Sequence, residues 1–168
     1  VITVVLVLSF SLVMATPASA DVTGVTIISP TQGSPAYVSP GGDVSVNFTI
    51  VAGSLEEADV RILVANGVIG DSGIFTVTMD DNGDGTGDYT GSRTVAISLS
   101  AEEGAAYNLT VKAKVGAQEW VTTTETSAVI VDSIAPTVTI DDITDYANPS
   151  AITGTASDAV SGVAVSYT

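Results

Sequence analysis

"DVSVNFTIV", residues 43–51, decides the fold class. Val44, Val46, Phe48 and Ile50 fall on one side of an extended chain; Ser45, Asn47 and Thr49 fall on the other. A period of two with one dry and one wet face is the pattern of a half-buried antiparallel strand. The pattern recurs along the chain. "ADVRILVA" (58–65) aligns Val60, Ile62 and Val64, and "GIFTVTM" (73–79) aligns Phe75, Val77 and Met79. Val95, Ile97 and Leu99 share a face before "SAEEG". In "AAYNLTVKAKV" (105–115), Tyr107, Leu109, Val111 and Ala113 alternate with Asn108, Thr110, Lys112 and Lys114.

Turn signals punctuate these runs. "SPTQGSP" and "SPGG" surround residues 29–42, Asn-Gly pairs stand at 66–67 and 82–83, and "EEG" ends at Gly104. No window carries a sustained helical period. Seven strands are predicted, at 22–29, 43–51, 59–65, 73–79, 92–99, 105–115 and 118–131. Short, regularly spaced strands of this kind build a two-sheet sandwich. Pro136 then breaks the ladder. A new alternation begins with Val138 and Ile140 and continues through "AITGTA" and "SGVAVSYT", which reads as the start of a second, truncated domain over 134–168 after a first over 21–133.

Composition narrows the chemistry. The 168 residues include 19 acidic and 4 basic side chains, a net charge of −15, and neither histidine nor cysteine. Thiol nucleophiles, histidine-based triads, disulfides and ordinary structural zinc sites are excluded. Nucleic acid is a poor partner, because phosphate binding needs clustered Lys and Arg, and anionic membrane surfaces are disfavoured for the same reason. Residues 1–14 are almost wholly apolar, and Ala18-Ser19-Ala20 has the small-x-small form of a signal-peptidase site. Residues 1–20 therefore read as an N-terminally clipped signal peptide, with the mature chain starting at Asp21 in a secreted, extracellular setting. The apolar run is short for a membrane span, and no span is expected after cleavage.

Three stretches carry a family likeness. "SAEEGAAYNLTVKAKVGAQEW" (100–120) resembles the end of bacterial immunoglobulin-like (Big-type) repeats, in which a Gly-x-Tyr-x-hydrophobic-x-Val strand precedes the last strand. "VDSIAPTVTI" (131–140) resembles the junction between such repeats, and "ITGTASDAVSGVAVSYT" (152–168) the start of the next. The resemblance implies an all-β, immunoglobulin-like antiparallel sandwich followed by the start of another. It also implies display at a cell surface, with neighbouring repeats in the same chain as partners and a surface protein or glycan as ligand. Tyr107 would serve as a tyrosine corner or as an ordinary core tyrosine. Asp132 to Pro136 would form the hinge.

Two acidic groups are candidate calcium sites. In "MDDNGDGTGDYTGS" (79–92), Asp80, Asn82 and Asp84 alternate as at the opening of an EF-hand loop, with Asp88 nearby. The twelfth position, which should be a bidentate Glu, is Gly91, and strands replace the flanking helices. A hairpin turn is the competing reading. The second group is Asp132 with Asp158, together with Asp141, Asp142 and Asp145, across the repeat junction, where a solvated acidic surface is the competing reading. If either site fills, calcium raises the melting temperature. No cofactor is required otherwise. The pairs Glu56-Glu57 and Glu102-Glu103 lie in turns, where adjacent carboxylates cannot face each other across a sugar. Trp120 is read as covering the core edge or as a sugar-stacking platform. Asn47 and Asn108 head sequons on outward faces. No enzyme is expected. The function predicted is a structural or adhesive module of a cell-surface or surface-layer protein; the alternative is a spacer or carbohydrate-binding accessory module of a secreted hydrolase.

Overall fold

The computed structural model describes residues 21–53, 55–81, 83, 86–140, 154–160 and 165–167. Their regular structure is almost entirely β: β1 Val22–Ser29, β2 Ala36–Val38, β3 Asp43–Ala52, β4 Ala58–Val64, β5 Gly70–Val77, β6 Asp80–Asp81, β7 Gly87–Ala96, β8 Ala106–Val115, β9 Val121–Val131, β10 Thr137–Ile140, β11 Gly154–Ser157 and β12 Val165–Tyr167. Strands β1 to β9 form two sheets, β1-β3-β7-β6 and β2-β9-β8-β4-β5. This strand order is that of an immunoglobulin-like sandwich. Among the described residues, every strand pairing is antiparallel except the parallel pairing of β2 with β9. Strands β10 to β12 form a separate antiparallel sheet.

The alternating rows become the two inner faces. Val44, Val46, Phe48 and Ile50 of β3 are buried, and Val60, Ile62 and Val64 of β4 face them together with Leu109, Val111 and Ala113 of β8. Phe48 packs edge-on against Phe75 at 6.3 Å and lies 5.7 Å from Tyr89. These ring pairs close the side of the sandwich where β5 and β7 meet. On the opposite side, the Thr123 hydroxyl donates to the carbonyl of Val25 and ties β9 to β1.

The departures from the predicted strands have local causes. β2 lies in the stretch read as turn, since Pro35 and Pro40 leave it too short to show a period. It is a strand because β9 offers it a ladder at Ala36↔Val129 and Val38↔Val131. β5 begins at Gly70 rather than 73, drawn back along β4 through a register shift between Arg61 and Leu63. β7 begins at Gly87 rather than 92: "GDYTG" has no alternation, but β3 pairs with it continuously from Ala52↔Gly87 to Asp43↔Ala96. The two-residue β6 was not predicted at all. Tertiary pairing overrides weak propensity in each case. Leu99, placed on the core row with Val95 and Ile97, is instead 84% exposed, because β7 ends at Ala96 and the chain turns before Leu99. The Asn-Gly turn at 66–67 is formed as read, with φ of 57° and 90°; an Asn followed by a Gly tolerates this left-handed backbone.

Candidate functional site

Three places carry the residues singled out by sequence: the corner and joint at one end of the sandwich, the acidic loop, and the outward face of the five-stranded sheet.

At the first, Tyr107 is the second residue of β8, and its hydroxyl accepts the backbone N–H of Glu102 at 3.1 Å. That is the geometry of a tyrosine corner, a ring packed on the core with its oxygen pinning the turn before the strand. The next turn residue, Glu103, reaches the joint. Its carboxylate accepts the Ser133 N–H at 3.0 Å and the Ser133 hydroxyl. Asp132 donates its own N–H to Val38 at 3.0 Å and accepts from Ile134 N–H through its carboxylate. The chain thus leaves β9 fastened to β2 on one side and to the 102–104 turn on the other. Pro136 follows this fastened stretch and directly precedes β10.

The acidic loop is flanked by strands, not helices. Asp80 and Asp88 are direct cross-strand partners in β6 and β7, and the Asp81 carboxylate accepts the Gly83 N–H at 2.7 Å. Asn82 and Asp84 lie outside the described residues, as do Asp141, Asp142 and Asp145 of the junction group. Asp158 caps its own turn by accepting from Val160 N–H at 2.8 Å. Among the described residues, no group of three or more acidic side chains is arranged to hold a metal ion.

The outward face of the five-stranded sheet gathers what the linear sequence scatters. Arg61 on β4 and Lys112 on β8 are cross-strand neighbours, and Asp59 pairs with Lys114 one step along. Trp120, just before β9, extends the same row. Lys112 Nζ lies 4.8 Å and Lys114 Nζ 5.3 Å from its ring centroid, within cation–π range. The half-buried indole therefore carries lysines on the outer face, and it also lines a cleft with Val22 and Val121 at the edge of the sandwich. Arg61 is committed to Asp71 in a two-pronged ion pair, Nε to Oδ1 at 2.9 Å and the guanidinium Nη2 to Oδ2. The hydrogen bond from Arg61 holds the Asp71 carboxyl below the usual carboxylate value; the Gly73 amide and the Lys112 charge act the same way, and burial opposes them. Three of the four basic residues of the chain stand on this face. The alternation of "VKAKV" already showed both lysines pointing outward. It could not show that Arg61 and Trp120, about fifty residues before and a turn after, join them.

The remaining candidates are structural in their contacts. Asn47 donates its side-chain amide to Ser29 Oγ at 2.7 Å, and Asn108 Oδ1 accepts from Ser127 N–H at 3.1 Å, so both sequon side chains serve the fold. Glu57 is exposed between β3 and β4. A scan against protein-family models and a search of curated proteins found no match to the chain.

Proposed function

We propose that the chain is a structural and adhesive extracellular module of a cell-surface or surface-layer protein, a Big-type immunoglobulin-like unit that carries load along its length. One observation supports this above the rest: the chain enters and leaves the sandwich at opposite ends. Asp21 and Val22 lie beside Gln118–Val121, around a cleft of about 250 Å³ at the start of β9. The exit at Asp132 lies beside Val38 at the far end of the same strand. Eleven residues of β9 separate the two ends by about 33 Å. Because β2 runs parallel to β9, tension between the ends loads their hydrogen bonds in shear, several at once, instead of unzipping them singly. The exit is then braced by Glu103 and Ser133. Units with this geometry stack in line.

The signal-peptide reading of residues 1–20 supports an extracellular location. An antibody raised against the full chain tests it on intact cells of the source. Surface labelling that external protease removes is the expected result. Labelling confined to the cell interior would overturn the proposal. Label found only in the culture medium would favour the second reading, an accessory module of a secreted hydrolase, for which the outward tryptophan–lysine cluster is the specific support.

A further inference from the structure

The chain has 19 acidic and 4 basic residues. Solubility is served by its carboxylates, so a concentration of basic groups on one face calls for another reason. Arg61, Lys112 and Lys114 occupy neighbouring positions on β4 and β8. Arg61 is neutralised by Asp71. The two lysine ammoniums lie over one indole, at 4.8 and 5.3 Å from its centroid, with Asp59 opposite Lys114 and the charge of Lys112 also felt by Asp71. Two like charges on alternate residues of a strand would ordinarily splay apart; the electron-rich ring holds them together. The result is a pair of N–H donors gathered over one ring, which shares one negatively charged group at lower cost than two free lysines would.

We propose that this face, at Lys112, Lys114 and Trp120, binds a carboxylate-bearing sugar, one unit of an acidic polysaccharide. The sugar carboxylate takes charge-assisted hydrogen bonds from the two ammoniums. Its hydroxyls meet the outward hydroxyls of Thr122 and Thr124, which follow Trp120 on β9 and are exposed. Thr122 is the direct cross-strand partner of Lys112. A neutral sugar is disfavoured, since it would have to stack where ammoniums already cover the ring. The structure thus turns the stacking-platform reading of Trp120 into selection for an acid. Denser polyanions are also disfavoured. Duplex nucleic acid carries a charge about every 1.7 Å, more than two lysines on a molecule of net charge −15 can offset. An acidic sugar chain spaces its carboxylates among neutral hydroxyls. The site adds a ligand class to either reading of the function and requires neither.

Trp120 is the only tryptophan, so tryptophan emission, excited to the red of tyrosine absorption, reports on this site alone. Oligogalacturonate is titrated against its methyl-esterified, neutral form. The expected result is a saturable change in emission with the acid and none with the ester, weakened by salt. Lys112→Gln and Lys114→Gln are each expected to lower affinity about tenfold, and Lys114→Arg to retain it. Equal responses to acid and ester, or no response to the acid, would overturn the proposal. So would a response to polyglutamate with none to the oligosaccharide, which would make the partner an acidic protein. If a Gln variant fails to fold, the comparison of acid with ester on the unaltered chain still decides. Failure here leaves the surface-labelling result untouched.

Discussion

Strands β3 and β10 look alike in sequence and differ in fate. "DVSVNFTIV" and "TVTI" both alternate apolar with polar residues. Yet Val46 and Phe48 are fully buried, whereas Val138 and Ile140 are 61% and 70% exposed. Alternation says that a chain will lie in a sheet with two unlike faces. It does not say that anything will cover the apolar face. In the sandwich, the rows of β4 and β8 do so. Among the described residues, β10 pairs only with β11, and nothing comparable lies over it. Among the described residues, the same residue types are therefore covered in one region and left exposed in the other.

Paired truncations test this contrast most directly. Phe48→Ala is expected to cost about 3 to 5 kcal/mol, because the ring is wholly enclosed and leaves a cavity between Phe75 and Tyr89. Val138→Ala should change stability by less than about 0.5 kcal/mol. Denaturant unfolding followed by Trp120 emission measures both; a large loss for Val138→Ala would mean that β10 packs on a covering layer in solution. Within the sandwich, Tyr107→Phe keeps the ring and removes the hydroxyl that accepts from Glu102. A loss of about 1 kcal/mol is expected, read in the same unfolding curves, and an unchanged midpoint would reduce Tyr107 to a core aromatic.

At the joint between the two regions, Glu103→Ala removes the acceptor for Ser133. The bonds are exposed, so unfolding should shift by less than about 0.5 kcal/mol, while the Ser133 amide exchanges faster with solvent. Unaltered exchange would show that the joint is held by other means. The smallest effect concerns acid. Asp71 has a lowered pKa in the folded chain, so its pairing with Arg61 stabilises at neutral pH and is lost as pH falls through that value, below the ordinary 3.8. Asp71→Asn should flatten the stability profile in that window and leave the rest unchanged. A melt series from pH 5 downward on both proteins checks it.

Much of the fold was legible because it rests on local rules. β1 was read at its observed limits, the row of β3 and the core row of β8 fell where expected, and the Asn-Gly turn at 66–67 formed with the backbone its residues favour. What escaped was short or irregular. β2 has three residues between two prolines, and "GDYTG" has no period; both became strands through partners distant in sequence. Leu99 continued the alternation on paper after the ladder had ended. The candidate site divides the same way. Tyr107, Asp132 and the outward lysines stand out in the chain, but the grip of Glu103 on Ser133 spans thirty residues and has no linear signal.

The sequence by itself determined an acidic, disulfide-free, all-β chain whose apolar rows must be covered, because charge, residue type and a period of two act through neighbours along the backbone. Only the tertiary structure decided which rows found a facing sheet, that the chain enters and leaves the sandwich at opposite ends, and that three of four basic side chains and the sole tryptophan share one face. Those outcomes depend on which strands pair and in what register, and strand pairing is a contest among distant segments that no single stretch can settle.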